Sequence, residues 1–310
     1  MIDLIVVCGP TASGKTALGA TLAERLGGEV VSADAFAVYR GLDIGTAKPT
    51  ADVRARVPHH LFDIADPRER YSAGMFVRDA EAAISDIRGR GRVAVVVGGT
   101  HFYVRALLYG LFPEPPKDTA LRQQLEEQWA HDWEAVRRRL IELDPEVAAR
   151  IAAADRQRTL RALEVCLVAG RPMSELWREH ALGSSRFRFV LLGLQPPREE
   201  LRARISVRVE GMFAGGLVEE VRGLLAQGLS PSVHALKAIG YRECCQVLGG
   251  LCSVAQAQTM TEAATHKLAK RQMTWLRGER DVEWVAGMGE HALANALARV
   301  EGRGGTAGSN

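Results

Sequence analysis

Gly9-Pro10-Thr11-Ala12-Ser13-Gly14-Lys15-Thr16 is the stretch whose reading decides the fold. Glycine, four residues, glycine, lysine and a hydroxyl residue is the spacing of a phosphate-binding loop. Its flanks agree. Leu4 to Cys8 is an apolar run of strand length, and Thr16 to Leu26 carries Leu18, Leu22, Ala23 and Leu26 at helical intervals. The loop therefore turns from a strand into a helix. Its bare backbone lets successive N–H groups curl round an oxyanion, and the helix N-terminus adds partial positive charge. Lys15 reaches the outer phosphate, and the Thr16 hydroxyl faces a magnesium ion. A di- or triphosphate is expected, and the loop alone leaves its identity open.

Downstream residues narrow the chemistry. Glu29 to Ala33 reads as a second strand ending at Asp34. Alternating strands and helices predict an α/β fold, a P-loop-type parallel sheet with helices on both faces. Ligands in such sheets lie beyond the C-terminal strand ends, so Asp34 shares a rim with the loop. A carboxylate there can hold magnesium or act as a general base. It can equally be a turn or helix-cap residue. Val93 to Val97 suits a buried central strand, and it ends in Gly98-Gly99-Thr100. A P-loop nucleotide hydrolase usually carries an acidic residue at that point, to hold magnesium or its water. Two glycines argue against ordinary ATP hydrolysis and less strongly against a small-molecule kinase. They allow close approach of a ligand or a neighbouring backbone.

The chain has 310 residues, 47% hydrophobic and 25% charged, which suits one large domain or one with an insertion. No apolar run approaches the ~20 residues of a membrane span, and Met1-Ile2-Asp3 leads straight into a core strand, so a cytoplasmic location without a signal peptide is expected. Cys8, Cys166, Cys244, Cys245 and Cys252 show no paired spacing and read as free thiols. The net charge of +3 decides nothing. A cluster does more: Lys267, Lys270, Arg271, Arg277 and Arg280 surround Trp275 against Glu279 alone, as either a nucleic-acid stripe or a solvated helix face.

Ser72 is placed to cap a helix from Ala73 to Arg88; Asp43 to Pro49, Pro58 to Ile64 and Tyr71 to Gly74 read as polar loops, with His59 and His60 not spaced as metal ligands. Pro113-Glu114-Pro115-Pro116-Lys117 reads as a stiff linker. From Thr119 to about His180 the pattern is helical and charged, with breaks at Asp144-Pro145 and Gly170-Arg171-Pro172. Strand character returns at Arg186 to Gly193. This gives a core of residues 1–113 and 186–300, an inserted all-helical domain of 114–185, and a disordered glycine-rich tail of 301–310. Helices are expected over Arg198 to Phe213, Leu217 to Gln227, His234 to Leu248 and Ser253 to Leu276, then an edge strand at Val282 to Val285. There is no internal repeat.

Taken together, these stretches resemble the bacterial tRNA dimethylallyltransferases, almost end to end. The resemblance rests on Gly9 to Thr16, Ser32-Ala33-Asp34, Val38 to Pro49, Pro58 to Leu61 and Gly98-Gly99-Thr100. It continues through Arg161 to Val165, Lys237 to Arg242 and Leu268 to Arg277. It implies transfer of a dimethylallyl group from dimethylallyl diphosphate to the N6 amine of the adenosine 3′ to the anticodon, at position 37 of tRNAs reading codons that begin with U. It implies Asp34 as general base and Gly9 to Thr16 as the diphosphate cradle. Arg208 grips the leaving diphosphate, and Thr16 supports Mg2+. For tRNA it implies Asp34, Ala35, Phe36 and Ala37, then Thr100 and Arg122. It adds Gln157, Arg158, Thr159, Leu160 and Arg161, and finally Lys237, Ala238, Ile239, Gly240, Tyr241 and Arg242.

The match has departures. Many members read Asp-Ser-x-Gln where this chain has Asp34-Ala35-Phe36-Ala37, and His266 stands where arginine is common. Partners expected are tRNA, through its anticodon stem-loop, and dimethylallyl diphosphate; a monomer is expected, with no membrane. The competing readings are a P-loop kinase of a small molecule or nucleotide, and a non-catalytic RNA-binding protein with a relic loop.

Overall fold

The computed structural model describes residues 2–111, 115, 118–180 and 185–304. The expected linker at 113–117, apart from Pro115, and the end of the tail beyond 304 lie outside them. In chain order the elements are β1 (Leu4–Cys8), α1 (Lys15–Arg25), β2 (Glu29–Ser32), α2 (Ala51–Arg56), β3 (His59–His60), α3 (Ala73–Gly89), β4 (Ala94–Gly98) and α4 (His101–Tyr109). Five helices follow: α5 (Thr119–His131), α6 (Trp133–Leu143), α7 (Pro145–Arg150), α8 (Arg156–Ala169) and α9 (Met173–His180). The chain then runs through β5 (Phe189–Leu194), α10 (Arg198–Ala214), α11 (Leu217–Ala226), α12 (Tyr241–Leu248), α13 (Val254–Gly278), β6 (Val282–Val285) and α14 (Leu293–Gly304).

Two compact units result: residues 1–108 with 186–310, and residues 109–185. In the first, six strands form one sheet in the order β3-β2-β4-β1-β5-β6, every pair parallel. All five residues of β1 and of β4 are buried, as parallel strands covered on both faces require. Ile5, Val7, Val95, Val97, Val190 and Leu192 pack one face onto Leu18 and Leu22 of α1 and Ala296 of α14. The chain leaves β1 towards β2 on one side and reaches β5 on the other. The strand order thus reverses beside β1, where a crevice opens beyond the strand ends.

The second unit is all helix. Its sequence writes its own helix starts: Asp118, Asp132, Asp144 and Asp155 each accept the amide three residues on, from Leu121, Ala135, Val147 and Arg158. Leu125, Val136, Leu140, Val147, Leu160 and Leu163 form its core, with Trp129 and Trp177 packed on them.

Four expectations change. The helix expected over His234 to Leu248 is broken. Ala235–Lys237 is a single 3-10 turn, and α12 restarts after Gly240, whose φ of 92° a helix cannot carry. The expected polar loop from Pro58 to Ile64 contains the edge strand β3, preceded by the unassigned helix α2. Residues 301–304 of the expected tail continue α14. The segment Gly98-Gly99-Thr100 leads straight into α4, an unassigned helix buried along Tyr103, Val104, Leu107 and Leu108.

At the opposite end of the sheet from the crevice, Glu29 at the start of β2 has a side chain only 3% exposed. It is bonded by His60 at 2.7 Å, Arg90 at 2.8 Å and Arg92 at 2.9 Å. Burial pushes its carboxyl up, but these three bonds more than offset that and hold it below the usual range. A depressed carboxyl stabilises the fold above its unfolded value and loses that contribution as the pH falls. Glu29→Gln is therefore expected to cost about 1–3 kcal/mol in urea unfolding at pH 7. That difference should shrink as the pH is lowered through and below the ordinary carboxylate range; an unchanged difference there would refute the charge-based account.

Candidate active site

The crevice is a cleft of about 390 Å³. Thr11, Lys15, Thr16, Asp34, Arg208 and Gln272 line it, with Phe36 and Ala37, Lys237 to Ile239, Arg242 and Arg271 further round the wall. A larger surface hollow of about 600 Å³ lies beside it, but its floor is internally paired. There Lys48, buried at 3% side-chain exposure, bonds Asp43 at 2.7 Å and Asp63 at 2.5 Å.

The loop after β1 divides its amides between structure and ligand. The Thr11 N–H donates to Gln272 Oε1 at 2.7 Å and the Ser13 N–H to the Pro10 carbonyl at 3.2 Å. The amides of Ala12, Gly14, Lys15 and Thr16 have no partner among the described residues. Ala12 at φ 65° and Gly14 at φ 82° are in the left-handed region, which turns neighbouring amides towards one point. A Cβ on Gly14 would lie 2.6 Å from the Gly289 backbone, and Gly289 donates its amide to the Ser13 carbonyl at 3.2 Å. The segment after β6 thus backs the cradle.

Lys15 Nζ donates to the Pro10 carbonyl at 3.4 Å. Burial, helped by the nearby Arg208 and opposed by Asp34, lowers the Lys15 ammonium to about 8. Burial likewise lowers the Arg208 guanidinium, with Asp34 opposing. Two half-buried cations sharing one carboxylate are undercompensated, a setting that favours an arriving polyanion.

Asp34 takes the turn reading with one oxygen and lines the cleft. One oxygen, Oδ1, accepts the amides of Phe36 at 2.9 Å and Ala37 at 3.1 Å, a turn-forming use. The other oxygen has no partner among the described residues, and the turn holds it at the cleft. The departures fit this turn. The Ala35 amide donates to Thr100 Oγ1 at 3.0 Å, Ala37 is 3% exposed, and the Phe36 ring stacks on His234 with centroids 5.7 Å apart.

Several residues expected to meet RNA do not have free side chains. Tyr241 is fully buried. Its hydroxyl donates to Glu220 at 2.5 Å and accepts the Gly45 amide at 3.1 Å, so it holds the loop of Gly45 to Ala47 that lines the cleft. Gly240 is buried and gives its amide to Glu243 at 2.8 Å. Thr159 and Leu160 are buried in the helical core. Gln157 and Arg158 are exposed, Arg161 pairs with Glu164 at 2.9 Å, and Arg122 with Glu126 at 3.0 Å.

Gln272 escaped the sequence reading. It occupies the buried stripe Thr265, Ala269, Gln272, Leu276 of α13, and a long amide on an apolar stripe is the signal that could have found it. His101, also unassigned, stacks on Trp275 at 4.3 Å. Burial, with Lys15 adding, lowers its imidazole to about 4.

Comparison with known proteins agrees with this geometry. A family model described as "IPP transferase" matches residues 37–279, and one described as "Isopentenyl transferase" matches residues 2–56. A tRNA dimethylallyltransferase of Anaeromyxobacter dehalogenans is 50% identical over 91% of this chain and 94% of its own length. One of Geobacter sulfurreducens is 46% identical over 91% of each. The crystal structure of a tRNA isopentenylpyrophosphate transferase from Bacillus halodurans superposes with a TM-score of 0.72 at 34% identity, covering 98% of both chains. A eukaryotic dimethylallyltransferase solved acting on tRNA gives 0.79 at 27% identity, covering 91% of this chain and 73% of that one. A cradle of open amides, two half-buried cations and one carboxylate thus stand in a chain that belongs to the IPP transferase family, the family of the tRNA dimethylallyltransferases, which are prenyl-transferring enzymes.

Proposed function

We propose that the chain transfers a dimethylallyl group from dimethylallyl diphosphate to the N6 amine of the adenosine 3′ to the anticodon of tRNAs that read codons beginning with U. The observation that carries this reading is one cleft lined by Lys15, Thr16, Arg208 and Asp34, on the loop that leaves the amides of Ala12, Gly14, Lys15 and Thr16 open. The amides and two cations suit a diphosphate. The carboxylate suits an amine that becomes acidic only as its new bond forms. The N6 lone pair attacks the allylic carbon, the carbon–oxygen bond breaks, and its electrons leave on the diphosphate. The proton of N6 passes to Asp34.

The residues fit a divalent cation, taken as magnesium. Thr16 offers a hydroxyl in the cleft, and no group of three acidic, histidine or cysteine ligands exists among the described residues. That suits an ion that keeps water and is held largely by substrate phosphates. When bound it neutralises charge on the leaving diphosphate.

An anticodon-loop adenosine is outside a duplex, so extruding it costs only a few kcal/mol. Phe36, Lys237, Ile239 and Arg242 form the wall it would enter past. Exposed Lys267, Lys270, Arg271, Arg277 and Arg280 on and after α13, with Thr100 beside the Asp34 turn, would take the tRNA backbone. The exposed Gln157 and Arg158 and the half-buried Arg122 and Arg161 of the helical unit would add contacts. A cytoplasmic monomer is part of this reading; no helix among the described residues is long and apolar enough to cross a membrane.

Purified protein is expected to move label from dimethylallyl diphosphate onto unmodified tRNA and to leave ATP unused as a competing donor. Label transfer from ATP instead would support a kinase. Asp34→Asn keeps an oxygen for the two turn amides but removes the base. It should lower kcat by about 10²–10⁴-fold with diphosphate binding intact, and normal turnover would end the general-base assignment.

Lys15 yields a pH prediction. A lowered ammonium loses its charge above about 8 in the free protein. Affinity for inorganic pyrophosphate should therefore fall roughly tenfold between pH 8 and pH 9.5, with proton uptake on binding visible by calorimetry. Flat affinity across that range would show that Lys15 does not titrate there.

A further inference from the structure

We infer that Gln272 is a positioning residue that fixes the spacing between the diphosphate cradle and the Asp34 carboxylate. This rests on the proposed prenyl-transfer reading. Gln272 touches neither reacting atom; it acts through the backbone on both sides of it.

The chain of contacts is continuous. The Thr11 amide of the cradle donates to Gln272 Oε1 at 2.7 Å. Gln272 Nε2 donates to the Gly99 carbonyl at 2.8 Å. The next residue, Thr100, donates its amide to the Ala33 carbonyl at 3.3 Å and accepts the Ala35 amide on its hydroxyl at 3.0 Å. Ala33 and Ala35 bracket Asp34. One side chain thus ties the end of β1 to the end of β4, and the end of β4 is tied to the end of β2.

Geometry leaves little slack. Gln272 is 8% exposed, and both of its bonds are buried. A side chain on Gly99 would collide with Gln272 Nε2, and one on Gly98 with the Ala33 carbonyl. The two glycines are therefore explained by neighbouring protein rather than by ligand. An amide supplies an acceptor and a donor at one end without having to take up a proton. The cradle needs the acceptor and the Gly99 carbonyl needs the donor.

Group transfer between two separately held partners is sensitive to their spacing, and a displacement near 1 Å costs on the order of 10²-fold. The Thr11 amide is not among the four open amides of the cradle. Loss of the relay should therefore fall on kcat more than on diphosphate binding.

The test measures steady-state prenyl transfer to unmodified tRNA, with pyrophosphate binding followed by calorimetry. Gln272→Leu should lower kcat by 10- to 100-fold and change pyrophosphate affinity by less than about threefold. Gln272→Glu covers the case in which the leucine variant fails to fold. Ionised, it accepts from Thr11 and repels the Gly99 carbonyl; protonated, it restores both bonds. The ratio of its kcat to wild type should rise as the pH is lowered, a readout in which protonation of Asp34 cancels. Thr100→Val should also lower kcat, Thr100→Ser should restore it, and the Thr100→Val, Gln272→Glu double variant should lose less than the product of the single losses.

Wild-type kcat in the foldable Gln272 variants, a pH-independent ratio, or multiplicative losses in the double variant would each overturn the relay. Asp34→Asn, run alongside, separates the two claims. If it turns over normally, the base assignment falls and takes the relay with it. If it is inactive while the Gln272 variants are normal, only the relay falls.

Discussion

A phosphate cradle made of main-chain amides must leave some N–H groups unsatisfied while every neighbouring one is paired, because an unbonded buried amide is costly. The loop after β1 meets this by dividing the work. Thr11 and Ser13 spend their amides on Gln272 and Pro10, which leaves Ala12, Gly14, Lys15 and Thr16 open. The same economy recurs at Asp34, where one oxygen closes a turn and the other is left over. The site is thus a set of leftover valences at the ends of three adjacent strands. Their positions are dictated by the bonds that are not left over.

That division explains what the sequence could and could not reveal. Gly9 to Thr16, Asp34 and the strand at Val93 to Val97 were readable because each is local: a spacing, a strand end, an apolar run. The sheet followed from alternation, and β6 from its short aromatic and β-branched run. What was hidden is long-range. Gln272 lies 261 residues from its Thr11 partner, and nothing in either segment announces the other. The backing of the cradle by Gly289 is of the same kind. Tyr241 misled because a family match reports that a position matters without saying how. It matters here by holding the Gly45 loop from inside the fold. Leu160 and Thr159 likewise sit in a matching segment but on the buried side of α8. The break in the helix expected over His234 to Leu248 was visible only as Gly240, whose demand for a positive φ depends on how the chain must turn to bury Tyr241.

The replaced turn residues follow the same logic. Where many relatives carry a hydroxyl and an amide, this chain has Ala35 and Ala37, yet the turn persists. Its bonds use the Ala35, Phe36 and Ala37 amides and not their side chains. What changes is the loss of two polar side chains, at 35 and 37, on either side of the Phe36 ring, which lines the cleft and stacks on His234. A purine entering there, as proposed, would meet an aromatic face without those two polar side chains. Stacking tolerates any base, so discrimination would have to come from elsewhere on the rim.

The end of β4 explains why a nucleotide-type loop serves prenyl transfer here. A phosphate-hydrolysing relative of this architecture would place a carboxylate just past that strand, to organise magnesium and its water. In this chain the place is sterically closed. Gly98 is pressed on the Ala33 carbonyl and Gly99 on Gln272, so no side chain fits at either position. The acidic group is displaced one strand outward, to Asp34 at the end of β2. There it lines the cleft together with Lys15, Thr16 and Arg208. The same two glycines that admit Gln272 thus leave no room for a carboxylate at the end of β4, and the acidic group lining the cleft stands at the end of β2, where the proposed transfer asks for a base.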